Sequence, residues 1–247
     1  MNPVTVSIII AVFNNQQDIE MAMQSVCNQT FENWELIVVD DCSTDLTQFK
    51  ISEFCLKNEK RDKIKCFRNL KNCGTYVSFN GGIQAAQGEY VKFLGSDDWI
   101  HPEMMKEQWV ECKLNPQAVG CLTSYARDSK VFEKGEATIM FVKRIIDEIG
   151  YFDSVRFAAD SEFIGRILAK YGETSLCSIS KVLYYAKRRP DSLTAKSSSC
   201  GFYKSGPGAD IRRIYRQKYM EWHNQGDLYM PYPLDTRPFP CHPSMMP

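Results

Sequence analysis

Residues 4–13 (VTVSIIIAVF) form one unbroken apolar, β-branched run, the pattern of a strand covered on both faces. Asn14 and Asn15 break it. Ile19, Ala22, Met23 and Val26 then recur at i, i+3, i+4 and i+7, which predicts an amphipathic helix. A second strand, 34–39 (WELIVV), runs into Asp40-Asp41 and a turn. Ser43 or Thr44 is placed to cap the next helix, whose buried face carries Ile51, Phe54 and Cys55. A third short strand at 64–67 (IKCF), a helical stretch reaching Ala86 and a fourth strand at 90–94 (YVKFL) follow, and Gly95-Ser96-Asp97-Asp98 comes next. This alternation of strand and helix predicts an α/β fold with a doubly wound, mainly parallel sheet.

The second half is more mixed. It carries a helix from about Pro102, a strand near 118–122, a less regular stretch to about 137 and a short strand–helix unit (TIMFVKRIIDEIG). A helix starting near Asp160 and two strands around 174–186 come after these. Ser205-Gly206-Pro207-Gly208 reads as a linker into a final amphipathic helix with Ile211, Ile214 and Trp222. Beyond Gly226 the chain turns proline-rich, which predicts an irregular or poorly ordered tail. The expected division is therefore an α/β domain at 1–204 and a C-terminal helix and tail at 205–247.

The chain has 247 residues, 44% of them apolar, enough for one sizeable core. Thirty basic residues balance thirty acidic ones, so charge draws the chain toward neither nucleic acid nor anionic membrane. No apolar run approaches a membrane span, and the N-terminus lacks the pattern of a secretory signal, so a cytoplasmic location is expected. The ten cysteines are scattered, with no Cys-x-x-Cys pair. Several, such as Cys55, Cys66 and Cys121, sit in apolar patterns, so reduced thiols packed as small hydrophobes are expected.

In open α/β sheets ligands bind beyond the carboxyl ends of the strands. Strand one ends at Phe13-Asn14, strand two at Asp40-Asp41 and strand four runs into Asp97-Asp98. Two acidic pairs on one sheet edge repel unless a cation or hydrogen-bond donors offset them, and a hard divalent ion shared with substrate phosphates is one such arrangement. Each pair taken alone also fits a plain turn leading into a helix. No Gly-x-Gly-x-x-Gly and no phosphate-binding lysine loop follows strand one, which excludes the usual dinucleotide and P-loop sites.

Four segments carry a family resemblance: SIIIAVFNNQQDIEMAMQSVCNQTFENWELIVVDDCSTD, NCGTYVSFNGGIQAAQGEYVKFLGSDDWIHPEMM, TIMFVKRIIDEIGYFD and AADSEFIGRILAKYG. In this order and spacing, the chain resembles the family 2 glycosyltransferases, which have the GT-A fold. The resemblance implies an inverting enzyme that moves a sugar from a nucleotide diphosphate, usually UDP, to a glycan or lipid-linked acceptor. It implies nucleotide contacts from Ala11, Phe13, Asn14, Asp41, Asn72, Gly74 and Asp97, with Phe13 and Asp41 at the nucleobase. Asp98, with Asp97, would hold Mn2+ or Mg2+, and Asp160, six residues before Arg166, would be the catalytic base. By residue type alone, Asp160 also fits the N-cap of its helix.

Three positions depart from the family pattern: Gly95 stands where an aspartate is common, Phe79 where an arginine is common, and Ala159 where a glutamate is common. They leave a second reading, a nucleotide-sugar-binding relative without catalysis. The segment from Tyr185 to Thr194 resembles one that closes over the donor, so Lys187, Arg188 and Arg189 either approach the diphosphate or form a solvated basic turn. Arg212, Arg213, Arg216 and Lys218 on the last helix suggest an acceptor contact, a peripheral membrane contact or a homodimer face.

Overall fold

The computed structural model describes residues 4–188 and 207–247. In chain order the first half contains β1 (Val6–Val12), α1 (Ile19–Cys27), β2 (Trp34–Asp40), α2 (Thr47–Lys57), β3 (Ile64–Arg68), α3 (Thr75–Ala85), β4 (Tyr90–Gly95) and β5 (Trp99–Ile100). The second half contains α4 (Met104–Leu114), β6 (Gly120–Arg127), β7 (Lys130–Phe132), β8 (Met140–Val142), α5 (Ile146–Ile149), α6 (Ala159–Tyr171), β9 (Leu176–Tyr185) and α7 (Pro207–His223). Arg189, the stretch to Thr194, the boundary at 204/205 and Ser205-Gly206 lie outside the described residues.

All seven residues of β1 and of β2 are buried. Their period-two alternation sends Ile9, Ala11, Ile37 and Val39 to one face with Val91 and Phe93 of β4, where α3, α5, α6 and α7 cover them. Ile8, Ile10, Leu36, Val38 and Leu94 face the other way, under α1, α2 and α4. The sheet order is β3-β2-β1-β4-β8-β6-β9-β5, with β7 paired to β6. β3, β2, β1 and β4 are parallel. From β1 the chain winds outward to β2 and β3, then returns to the other flank of β1 as β4, so the order reverses there and opens a crevice between the carboxyl ends of β1 and β4.

Four local expectations change. The region 174–186 is one strand, β9, whose pairing with β6 shifts register around Ser124; its exposed polar middle reads as a break in the sequence. The irregular stretch after Leu122 is a hairpin, β6 turning back as β7. Ser43 and Thr44 do not cap α2: the Asp45 carboxylate accepts the Thr47 N–H at 2.9 Å, and both hydroxyls turn to Asn14 instead. The tail is irregular but packed. Met230, Phe239 and Met245 are buried in the same cluster as Phe163 and Trp222, the Tyr151 N–H donates to the Met230 carbonyl at 2.8 Å, and Arg237 bonds the Asp153 carboxylate. Among the described residues no helix is long and apolar enough to cross a membrane.

Lys92, in the middle of β4, is fully buried and donates to the Thr138 carbonyl at 2.8 Å. Burial pushes its ammonium down to about 7. An unfolded lysine keeps its proton to about pH 10, so between these values the unfolded chain binds more protons and folding stability rises with pH. Gln108 also donates to the Thr138 carbonyl, at 3.0 Å, so that carbonyl keeps a partner if the ammonium is removed. Lys92→Met is predicted to be more stable than wild type at pH 7, by an amount on the order of a few kcal/mol. Urea unfolding at pH 7, 8.5 and 10 should show that advantage shrinking as pH rises; a pH-independent difference would mean that Lys92 keeps its proton in the core as it does in the unfolded chain.

Candidate active site

Three strand ends are brought level by register. Ala11 of β1 pairs with Val39 of β2 and with Gly95 of β4, so Phe13, Asp41 and Asp97 all lie two residues beyond one rung of the sheet. Polar side chains join these ends. The Asn14 N–H donates to Ser43 Oγ at 2.9 Å, and Asn14 Oδ1 accepts the Thr44 N–H at 2.8 Å. Asn15 Nδ2 donates to the Ser96 carbonyl at 2.9 Å. Asn14 takes the left-handed conformation, φ 47°, which asparagine tolerates better than most residues. Phe13 stands at this edge with 45% of its surface exposed, although it ends a buried apolar run.

The Asp40-Asp41 pair splits. Asp40 turns to the Ser43 N–H at 3.0 Å and lies 3.5 Å from the Arg68 guanidinium. Asp41 is buried and organises the loop before α3: its Oδ1 accepts from Asn69 Nδ2 at 2.7 Å and the Cys73 N–H at 2.9 Å, and its Oδ2 accepts the Gly74 N–H at 2.7 Å. A carboxylate has about four acceptor positions, so Oδ2 keeps one. Gly74 takes φ +86°, a backbone that side chains rarely adopt, at the entry to α3. Asn72 reaches back to the Asp41 carbonyl and accepts from Arg156 at 3.1 Å.

Asp98 is folded back over Gly95. Its Oδ2 accepts from the Tyr184 hydroxyl at 2.6 Å and its Oδ1 from the Lys187 N–H at 2.8 Å. A Cβ at position 95 would stand 2.5 Å from Asp98 Oδ2, so the glycine that departs from the family pattern makes room for this carboxylate. Burial and the neighbouring Asp97 push the Asp98 carboxyl up to about 7, against the opposing pull of the Tyr184 and Lys187 donors. This donor set fits a hard divalent cation: two adjacent carboxylates whose repulsion an ion would relieve. Among the described residues no group of three or more metal-binding side chains forms, so an ion there would draw its other ligands from phosphate and water. The basic run lies close by but is engaged: the Lys187 ammonium pairs with Asp18 at 2.6 Å, and Arg188 lies 3.6 Å from Asp128.

Asp160 is the second residue of α6, and Ala158 occupies the N-cap with φ +69°, so the capping alternative does not hold. Asp160 faces Tyr76 of α3: burial first, then that carboxylate, pushes the Tyr76 phenol well above the ordinary value. Tyr125 of β6 connects the two halves of the cleft: burial raises its phenol, Arg127 lowers it, and Glu136, Asp160 and Asp98 each raise it. Asp98 and Asp160 therefore act on one side chain. Sequence reasoning missed Arg127, Glu136, Tyr76, Tyr125 and Tyr184, which are spread over four elements with no shared motif. Arg127 is the cation nearest to the role left open by Phe79: it lowers both the Asp98 carboxyl and the Tyr125 phenol. Phe79 itself is buried against Phe93, ring centroids 4.5 Å apart.

The four basic residues of α7 do not form one face. Arg213 pairs with Asp210 and Lys218 with Glu221, whereas Arg212 and Arg216 line a groove of about 470 Å3 between α6 and α7 that Glu136 also lines.

This sheet, with its acidic edge at the reversal point, is the architecture of the GT-A glycosyltransferases. The family model for glycosyl transferase family 2 matches residues 7–172, and the chain belongs to that family. It is similar to a UDP-Glc:alpha-D-GlcNAc-diphosphoundecaprenol beta-1,3-glucosyltransferase, WfgD, of Escherichia coli, 39% identical over 101 residues, 40% of this chain and 38% of that protein. It is also similar to the glycosyltransferase GlyA of Streptococcus pneumoniae, 26% identical over 153 residues, 61% of this chain and 21% of that protein. The matched segment spans less than half of the length of each of these relatives. The S. aureus protein TarS, solved with UDP-GlcNAc, superposes with a TM-score of 0.64 at 22% identity over 75% of this chain and 59% of that one. The mannosyltransferase PcManGT of Pyrobaculum calidifontis, solved with GDP-Man and Mn2+, gives 0.61 at 16% identity over 92% and 64%.

Because Asp41 holds the 69–74 loop through three acceptor contacts, Asp41→Asn is predicted to loosen it: an amide nitrogen would face N–H donors at one of the two oxygen positions. Hydrogen exchange at Cys73 and Gly74 should speed up by about tenfold or more, the loss of one hydrogen bond to a charged group, while exchange in β1 stays unchanged. Unaltered exchange at both amides would show that the carboxylate does not hold the loop.

Proposed function

We propose that the chain catalyses transfer of a sugar from a UDP-linked donor to a hydroxyl of a glycan or lipid-linked acceptor, with inversion at the sugar carbon. The observation that carries this reading is the convergence of Phe13, Asp41 and Asp97-Asp98 beyond one rung of the sheet, with Gly74 held on Asp41 and Asp160 acting on the same cleft. The donor class draws on TarS and WfgD, whose described ligand or donor is UDP-linked, and the lipid-linked acceptor draws on WfgD alone.

In this reading the exposed ring of Phe13 lies against the nucleobase and the remaining acceptor position of Asp41 Oδ2 takes its ring N–H. Asn72 and Gly74 border the nucleotide, and Ala11 and Asn14 shape the floor. Asp98, with Asp97, would hold Mn2+ or Mg2+, which when bound would offset negative charge on the departing diphosphate. Tyr184 and Lys187 hold the Asp98 carboxylate in place at its two oxygens. Asp160, oriented by Tyr76, takes the proton of the acceptor hydroxyl as its oxygen attacks the sugar carbon. The new C–O bond forms as the bond to the diphosphate breaks, and that electron pair leaves with UDP. Attack opposite the leaving group, with a single base and no protein nucleophile, inverts the configuration.

Asp160→Asn tests the reading, because the amide keeps the shape and an oxygen for Tyr76 but cannot take a proton. A panel of UDP-sugars with Mn2+, assayed for transfer and for slow hydrolysis, should show turnover that EDTA removes. In Asp160→Asn turnover should fall by about 10²–10⁴-fold, with UDP affinity by calorimetry and melting temperature nearly unchanged. Full activity in the variant would remove Asp160 as the base. UDP binding in both proteins with turnover in neither would favour the non-catalytic relative.

A further inference from the structure

The carboxylate missing beside the base at Ala159 has a counterpart elsewhere in the chain. Between β7 and β8 the backbone makes a 3-10 turn over Glu136–Thr138 that is fastened from four sides. The Gly135 N–H donates to the Thr123 carbonyl at 3.0 Å and Thr138 Oγ1 to the same carbonyl at 3.1 Å. Lys92 and Gln108 both donate to the Thr138 carbonyl. A Cβ on Gly135 would stand 2.4 Å from the Tyr125 ring, so the turn lies tight against β6. This fastening sets Glu136 against the first turn of α6, where Ser161, the residue after Asp160, donates its hydroxyl to Glu136 Oε2.

We propose that Glu136 is the second carboxylate of the acceptor-activating centre, a positioning residue that acts on the acceptor's proton through Asp160 in place of a neighbour at position 159. The proposal rests on the reading of Asp160 as the base. Two carboxylates held together are unfavourable unless charge and hydrogen bonds offset them, and the surroundings supply both. Asp160 and Ser161 face Glu136 from α6, Arg212, Arg216 and Tyr219 from α7, and Tyr125 from β6. Burial first, then the Asp160 charge, raise the Glu136 carboxyl, while Ser161, Arg216 and Arg212 pull it down. As the acceptor oxygen bonds to the sugar carbon and the diphosphate leaves with its electron pair, the acceptor's proton passes to Asp160. It then leaves to water along the groove that Glu136, Arg212 and Arg216 line.

Carboxyl 13C NMR of protein labelled in Asp and Glu, titrated in wild type and in Asp160→Asn, reads the pairing without any substrate. Glu136 is expected to titrate above the ordinary glutamate value of about 4.3 and to move back toward it in Asp160→Asn. In the turnover assay Glu136→Gln should lower kcat on the order of tenfold, the effect of one unit of proton affinity, and alter its pH profile. UDP affinity should stay the same. An ordinary Glu136 titration that ignores Asp160→Asn overturns the proposal, as does a Glu136→Gln enzyme with wild-type kcat and pH profile. Loss of turnover in Glu136→Gln beside a fully active Asp160→Asn would instead remove the base assignment beneath it. A wild type that turns over no UDP-sugar would count against the proposed activity, and the NMR titration would still decide the pairing.

Discussion

The rest of the site depends on the register that sets Ala11 level with Val39 and Gly95. β1 is buried on both faces, so a slip of one residue against either neighbour would exchange its two core faces and turn every side chain over. The alternating apolar residues of β1, β2 and β4 forbid that slip. Their packing therefore places three polar strand ends on one line: the core fixes the strands, the strands fix the rung, and the rung presents Phe13, Asp41 and Asp97-Asp98 to one crevice. The joining bonds from Asn14 to the 43–44 turn and from Asn15 to Ser96 add little new position. They hold what the register has already set.

The other half of the cleft is built from long-range polar contacts. Asp160 rides on α6, and α6 is anchored by Arg166, which is fully buried, bidentate to Glu162 and donates also to the Ile149 and Tyr151 carbonyls. His223 of α7 lies 3.0 Å from the same glutamate. Removing one partner of such a buried pair costs about 3–5 kcal/mol, far more than a surface pair. The tail adds a second anchor: Asp153 is buried and takes both the Tyr215 hydroxyl, at 2.8 Å, and the Arg237 guanidinium. Burial raises the Asp153 carboxyl and Arg237 lowers it. The arginine that marks the family spacing thus acts on the orientation of the helix that carries Asp160.

Much of the first half was legible in the sequence because local pattern and final burial agree there. The apolar run of β1, the spacing of Ile19, Ala22, Met23 and Val26, and the acids after β2 and β4 each carry their own signal. The partners of those acids carry none. Tyr184 lies in a strand whose register shifts, Arg127 ends a strand in a stretch without clear period, and Glu136 sits in a three-residue turn between short strands. Tyr184 and Glu136 reach the site through hydrogen bonds across more than 20 residues of sequence. The tail was misread for a related reason: Met230, Phe239 and Met245 are buried without helical or strand spacing, among prolines that locally suggest disorder. Gly95 was read as a loss at the metal motif, whereas in the fold it is the space into which Asp98 turns.

The central claim is that the crevice beyond β1, β2 and β4 takes a nucleoside diphosphate together with a divalent cation. Titrating Mn2+ and UDP into 15N-labelled protein measures this directly, because the paramagnetic ion broadens the amides nearest to it. The account predicts that broadening begins at Asp97 and Asp98 and extends to Phe13, Gly74 and Tyr125, and that Mg2+ with UDP shifts the same amides without broadening them. Broadening centred on the α1–α4 face or on the C-terminal tail, or none when UDP is present at saturation, would contradict it.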